Sequence, residues 1–362
     1  MIDIMKSTPS PKVIVAVLNW GIGHASRCVP LINELQRSGK EVVVFSDGIA
    51  LEFLLLQFPS IEFCLVPSYN IRYAGKVLLL EMFFQLPRIA WAAHKERRVL
   101  SKWLRNNACE GIFSDNRLGF VSTKVPSYYI THQLNIPVGF LSPMASFFHF
   151  LYYRKFKAVL VPDQEGEGSL SGVLSKPFSR RSKIYKLGLW SRFEGKSNVN
   201  QQKKEHILIL LSGPEPARTE WELELLSQIS EQKDKRFVLV RGSSKEREAF
   251  QLENLVIYDL LGSEMLENLI ERSTGVVCRS GYSTLMDLAL LQAKAFVVPT
   301  PGQTEQMYLA KYHQSQNHVR TVDQKNFSLK EAVKKLEEGS FSFQKPQKVN
   351  FQEVLTRLSQ SK

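Results

Sequence analysis

Val276-Val-Cys-Arg-Ser-Gly-Tyr-Ser-Thr-Leu-Met-Asp-Leu288 decides the architecture, because it changes period twice within a few residues. Residues 275–278 are apolar, as in a strand buried on both faces. A tight turn follows through Arg279-Ser280-Gly281, and helical spacing begins near Ser283-Thr284. Strand, glycine turn and helix in that order make one βα unit of a parallel sheet. The free N–H groups at such a helix start, with the macrodipole behind them, favour an anion such as a diphosphate. Gly281 lets backbone approach it, and Arg279 offers a fixed charge. Asp287, near the same end, can accept hydrogen bonds from ribose hydroxyls. The same spacing also fits a purely structural turn, with Ser283 or Thr284 capping the helix.

The unit recurs on both sides. Upstream, 206–211 (HILILL) is a strand ending in Ser212-Gly213-Pro214, and 237–240, 255–258 and 295–298 are further strands with helices between. Residues 205–345 therefore form one α/β array. Before it, 195–204 (GKSNVNQQKK) is polar and aperiodic, the composition of a linker. Residues 1–194 form another array. Its first strand, 13–18 (VIVAVL), runs into a Gly-containing turn, helical spacing appears over 30–37, and strands are predicted at 41–45, 61–66, 111–113, 136–141 and 158–161. A last helix over 349–358, within 346–362, is expected to pack back on the first domain. The fold class is α/β: two Rossmann-like parallel-sheet domains facing a central cleft, where ligands of open sheets bind.

Composition sets limits. A chain of 362 residues with 44% hydrophobic and 23% charged side chains can bury two full cores. Cys28, Cys64, Cys109 and Cys278 form no CxxC pair, so neither a metal site nor a disulfide framework is expected, and a reducing, cytoplasmic setting is. Residues 1–12 contain no apolar leader segment, and no run approaches the roughly 18 apolar residues of a spanning helix. The longest, 77–86, is broken by Glu81 and stopped by Pro87. The excess of 47 basic over 35 acidic residues gives +12, which suits a nucleic acid, a diphosphate or an acidic membrane. No DNA or RNA module is found and the basic residues are dispersed, so nucleic acid is not the expected partner. Arg88, Lys95, Arg97, Arg98, Lys102 and Arg105 oppose the single Glu96 along a helical pattern, and 144–157 (MASFFHFLYYRKFK) sets aromatics beside base. Both fit peripheral contact with an anionic membrane at its inner face, or a core helix with a solvated basic side.

Other polar clusters follow strands. Gln303, Glu305 and Gln306 open a helix after a Pro/Gly turn and suit sugar hydroxyls, which need donors and acceptors together. Ser212, Gly213 and Arg218 lie in the loop after 206–211, and Arg241-Gly242 follows the next strand. Ser114-Asp115-Asn116-Arg117 and Thr131-His132-Gln133 are placed to line the other wall of the cleft. Any of these also fits loop hydrogen bonding alone.

Taken together, the Arg279-Ser280-Gly281 turn and the later Gln303-Thr-Glu-Gln306 cluster resemble the C-terminal domain of the MurG family of GT-B glycosyltransferases. The resemblance covers about residues 275–310. It implies a nucleotide-diphosphate sugar, UDP-linked, as donor substrate rather than any bound cofactor or metal. It also implies ribose contact by Asp287, sugar contact by Gln306, and a lipid-linked or cell-envelope glycan acceptor. Asp287 stands where the family usually has Glu, and Leu309 stands where it has Asn. Asn19-Trp-Gly-Ile-Gly-His-Ala-Ser-Arg27 resembles the family's G-x-G-H turn, which implies that Gly21 and Gly23 bring backbone to the cleft and that His24 faces acceptor or donor sugar. A histidine suits a base that takes the acceptor hydroxyl proton, with Asp115 as its competitor. The expected reaction is an inverting, metal-independent sugar transfer, for no paired DxD motif is present to hold a metal. Arg27 also resembles the G-x-G-H-x-x-R turn of the PseG nucleotide-sugar hydrolases, so hydrolysis or epimerisation on the same scaffold is the alternative. A basic nucleic-acid-binding protein is the second.

Overall fold

The computed structural model describes residues 11–69, 78–137, 139–179, 183–193, 204–243, 253–347 and 349–360. The linker expected over 195–204 lies outside them except for Lys204.

Strands β1 (Lys12–Val17), β2 (Glu41–Ser46), β3 (Glu62–Leu65), β4 (Cys109–Asp115), β5 (Ser127–Ile130), β6 (Ala158–Val161) and β7 (Ile184–Lys186) form the first sheet, in the order β3-β2-β1-β4-β5-β6-β7. β8 (His206–Leu210), β9 (Phe237–Val240), β10 (Leu255–Tyr258), β11 (Ser273–Cys278), β12 (Ala295–Val297) and β13 (Arg320–Thr321) form the second, ordered β10-β9-β8-β11-β12-β13. Every pairing is parallel. Helices α1 (Ile22–Arg37), α2 (Gly48–Gln57), α3 (Leu78–Asn106) and α4 (Ser142–Tyr153) belong to the first sheet. α5 (Ala217–Ser230), α6 (Ser263–Glu271), α7 (Tyr282–Leu290), α8 (Thr304–Ser315) and α9 (Leu329–Glu338) belong to the second, and α10 (Phe351–Gln360) closes the chain.

Strand order reverses between β1 and β4 in one sheet and between β8 and β11 in the other. The loops leaving these strands diverge there and open a crevice. A continuous apolar cluster joins the domains below it, from Val15 and Leu31 through Trp190 to Met286 and Leu288. Trp190 is fully buried, with its ring 4.9 Å from that of Phe351 in α10. α10 thus returns to the first domain, where Tyr128 Oη donates to the Leu358 carbonyl at 3.4 Å.

Several elements differ from their sequence-based expectation. Residues 136–141 are not a strand: Pro137 has no N–H to donate, and Gly139, at φ 64°, leads into a short 3-10 turn, Gly139–Leu141. The strand beside β4 is Ser127–Ile130 instead. α1 starts eight residues before the expected 30–37 and carries Pro30 inside it. Pro87 does not stop the 77–86 run either, for α3 continues through it to Asn106. Among the described residues no helix is long and apolar enough to cross a membrane.

Candidate functional site

The glycine turn after β1 places Gly21, at φ 82°, as the N-cap of α1, so His24 stands in the first helical turn and Arg27 one turn beyond it on the same face. Asp115 is the last residue of β4, the strand next to β1, and is fully buried. These two neighbours at the switch point bring the three side chains together. His24 Nδ1 lies 2.6 Å from Asp115 Oδ1. Arg27 donates Nη2 to the same oxygen at 2.6 Å, and its Nε to Oδ2. His24 Nδ1 also lies 2.8 Å from Arg27 Nη2, but that Nη2 already donates to Asp115 Oδ1, and the carboxylate, which only accepts, makes the shorter contact; Nδ1 of His24 therefore carries the proton and Nε2 the lone pair. Burial alone would raise Asp115, but Arg27 and then His24 outweigh it and hold the carboxyl far below its usual range. Burial, then the charge of Arg27, push His24 below the ordinary imidazole value despite Asp115. The result is a neutral histidine, oriented by an ionised carboxylate and partly exposed to the cleft.

α7 meets this site from the second domain. Its N-cap is Gly281 rather than Ser283 or Thr284, because Ser283 turns outward and donates Oγ to the Gly23 carbonyl at 2.8 Å. Thr284 lies beside it in the first turn. A Cβ built on Gly21 or Gly281 meets nothing within 4 Å, so open space flanks both helix starts. The N-terminal ends of α1 and α7 thus converge, and both dipoles favour negative charge between them. Tyr282, buried, stacks face to face on His132 with ring centroids 4.1 Å apart.

The loops around α7 are tied to it. Ser280 Oγ donates to the Gln306 carbonyl at 2.8 Å, and Gln306 Oε1 accepts from the Thr300 amide at 2.9 Å. Gln306 Nε2 donates to Gln303 Oε1 at 2.5 Å, so these two amides hold each other at the start of α8. Gly213, at φ 104°, brings the loop after β8 close to Thr300, whose Oγ1 would lie 3.6 Å from a Cβ there. Thr300 Oγ1 and Arg279 Nε are buried without a hydrogen-bond partner among the described residues. Ser212 sits beside Gly213, half-buried.

Four residues expected to meet ligand directly are turned elsewhere. Arg279 is buried, with its guanidinium 3.8 Å over the Trp221 ring and Nη1 on the Val298 carbonyl at 3.2 Å, because an apolar platform and bare carbonyls lie behind the turn. Arg218 folds back onto the Arg241 carbonyl at 3.0 Å and onto Glu215. Asp287 accepts from Ser191 Oγ at 2.6 Å and Arg192 Nε at 3.2 Å, so it pins the end of the first domain to α7. Glu305 reaches across the cleft to His132 Nε2 at 2.8 Å. In the first domain Arg117 is buried between Glu96, at 2.8 Å, and Asp47, and Asn116 adopts φ 52° next to Asp115. Arg241 is likewise engaged, with Glu222 at 2.7 Å and Asp259 at 3.0 Å.

Two parallel-sheet domains with facing switch points give this chain the GT-B fold, and it is a glycosyltransferase. Residues 215–359 match the glycosyltransferase family 28 C-terminal domain, so the second domain is of the MurG-like kind. The chain is 25% identical over 325 residues to the UDP-N-acetylglucosamine--N-acetylmuramyl-(pentapeptide) pyrophosphoryl-undecaprenol N-acetylglucosamine transferase of Sulfurihydrogenibium sp., covering 88% of this chain and 87% of that one. Among solved structures, the glycotransferase of kitacinnamycin superposes with a TM-score of 0.63 at 14% identity, over 97% of this chain and 94% of the other. Acinetobacter baumannii MurG does so with a TM-score of 0.51 at 16% identity, over 96% and 99%.

Proposed function

We propose that the protein transfers a sugar from a UDP-sugar to a hydroxyl of a lipid-linked, cell-envelope glycan, inverting the anomeric carbon without a metal ion. The observation that carries this reading is the His24–Asp115 pair where the starts of α1 and α7 converge. In that arrangement His24 Nε2 takes the acceptor hydroxyl proton and the acceptor oxygen bonds to the anomeric carbon. The bond to the diphosphate breaks on the opposite face, and the nucleotide leaves with its electron pair. Negative charge growing on the diphosphate meets the α7 N–H groups, dipoles already fixed before the reaction. Gln303 is the amide left to face the sugar, while Gln306, Arg279 and Arg218 brace the loops behind it. The name of the Sulfurihydrogenibium relative supports uridine as the base and a lipid diphosphate as the acceptor carrier.

The α3–α4 side of the first domain fits an anionic membrane surface. Trp91, Phe140, Met144, Phe147 and Phe148 are exposed there, and Lys95 Nζ sits 3.3 Å over the Trp91 ring. A groove of about 450 Å³ between the two helices is lined by His94, Arg97, Phe148, Tyr152 and Lys155. Burial, then the charges of Arg97 and Arg154, lower Lys155, as expected of cations crowded together without a counter-ion. Aromatics beside such cations favour the inner, acidic face of a membrane.

Thermal-shift screening with UDP-, GDP- and dTDP-sugars tests the donor site, with Gly281→Val beside wild type. Stabilisation by the uridine set alone, lost in the variant whose side chain fills the space at the helix start, supports the assignment. No shift with any nucleotide sinks it. Donor consumption that needs no acceptor would move the reading to a hydrolase.

A further inference from the structure

The His24–Asp115 pair is the end of a longer chain of hydrogen bonds that crosses the cleft. Arg27 Nη1 lies 2.8 Å from His132 Nδ1, and His132 Nε2 lies 2.8 Å from Glu305 Oε1. Arg27 has only donors, so His132 Nδ1 must accept, and its proton sits on Nε2, pointing at Glu305. On the other side of Arg27, Asp115 accepts from both Arg27 and His24. Arg27, with donors only, therefore fixes the tautomer of His132, while Asp115, with acceptors only, fixes that of His24. Charge follows the same logic. Arg27 contributes one positive charge against two negative ones, Asp115 and Glu305, so the assembly becomes neutral when His24 gains a proton.

Glu305 belongs to α8 of the second domain, and His132 follows β5 of the first. The bond between them spans the two domains, as does that from Ser283 Oγ to the Gly23 carbonyl one residue before His24. We propose that Glu305 is a positioning residue that, by closing on His132, completes the Arg27–Asp115–His24 chain, so that His24 becomes a competent base only in the closed enzyme. The proposal rests on His24 being the base. The titratable groups that act on His24 are Arg27 of α1, Asp115 of β4, His132 after β5 and Glu305 of α8, with Cys28 against Asp115 and Tyr282 of α7 against His132. Burial keeps Tyr282 and Cys28 in their neutral forms. That leaves Glu305 as the one charge among them that arrives with closure.

The test compares Glu305→Gln and His132→Phe with wild type, reading the His24 ring nitrogens by 15N NMR and the pH dependence of kcat. His24→Gln assigns the signal among the seven histidines. Glutamine still accepts from His132 Nε2 but brings no charge, so the Nδ1–H tautomer of His24 persists while its titration drops by about half a pH unit. Phenylalanine keeps the stack on Tyr282 but removes the acceptor of Arg27, so His24 becomes a mixture of tautomers. In both variants kcat falls, by roughly tenfold or more, with donor KM within about threefold of wild type. Folded variants that keep the wild-type titration and tautomer overturn the proposal. A changed His24 signal without sugar transfer under any pairing of donor and acceptor leaves the linkage standing and removes the transferase reading instead.

Discussion

Asp115→Asn separates orientation of the base from its mere presence. The carboxylate takes four donors: His24 Nδ1 and Arg27 Nη2, each at 2.6 Å from Oδ1, and Arg27 Nε and the weaker Cys28 Sγ at Oδ2. An asparagine has one acceptor oxygen and turns an amide group toward a donor that cannot accept. If its oxygen keeps Arg27, the imidazole faces N–H and turns to the other tautomer, with its lone pair away from the acceptor. Loss of the orienting carboxylate in a comparable histidine dyad costs about 10⁴ in turnover, and a loss of about 10³ to 10⁴ is expected here. Stability falls too, because Arg27, 1% exposed, keeps its charge without its counter-ion. Breaking one partner of such a buried pair costs about 3–5 kcal/mol, so rates are measured well below the melting transition. The assay is initial transfer rate at pH 8 for Asp115→Asn, His24→Ala and the double variant. His24→Ala removes the base itself, about 10² to 10⁴, with little effect on folding. Because the two act as a unit, the double variant is no slower than the slower single one. A folded Asp115→Asn enzyme within fivefold of wild type, or additive losses in the double, refutes the reasoning.

With His24 held below the ordinary imidazole value by burial and Arg27, kcat/KM loses activity only as pH falls through that lowered value; a midpoint above 6.5, the ordinary value, contradicts the arrangement. His313, buried in α8 with Nε2 on the Leu170 carbonyl at 2.9 Å, is lowered to about 4 by burial and then by His318. Its folded value lies below the unfolded one, so its contribution is complete above about 6.5 and lost as pH falls toward 4. That is roughly 3 kcal/mol, and melting temperature against pH is flatter over this range in His313→Phe. Arg279→Ala removes the stack on Trp221 and the bonds to the carbonyls after β12, lowering stability by roughly 2–4 kcal/mol. Donor KM rises with it, and calorimetry of the apo protein, showing an unchanged transition, would disprove the bracing role. Binding to vesicles of acidic lipid weakens with salt and is lost in Trp91→Ser/Phe148→Ser, while neutral vesicles bind neither protein; equal flotation with both lipid types excludes the charged groove as the cause.

What was legible in the sequence is what the backbone enforces locally. An apolar run, a glycine turn and a helix start are contiguous, so 275–288 and 13–27 state their βα units outright, and two such arrays place the cleft. The lapses are also local in origin. Pro137 and Gly139 interrupt an apolar segment whose composition reads as strand, whereas Ser-Tyr-Tyr-Ile at β5 is short and its polar and aromatic residues hide its burial. A proline inside a helical pattern ordinarily ends or kinks the helix at the residue before it. α3 nevertheless runs on through Pro87.

The partners of charged side chains are another matter. Arg279, Arg218, Asp287 and Glu305 were expected at the ligand because each lies beside a glycine turn at the cleft. Such positions have two faces, and sequence spacing does not say which one a long side chain takes. For Arg279 the apolar face wins, because Trp221 and uncovered carbonyls leave backbone acceptors that need a donor. For Asp287 the donors Ser191 Oγ and Arg192 Nε hold the carboxylate at the end of the first domain. Arg27, by contrast, had a readable signal: three residues after His24 in a helix, it shares that residue's face. The place of His132 at the cleft wall is readable from its position after an apolar segment, but its partners, 105 and 173 residues away, are not. Orientation of the base therefore depends on the contacts least visible in the chain's order. A variant series confined to the recognisable G-x-G-H and R-S-G turns would leave Arg27, Asp115, His132 and Glu305 untouched.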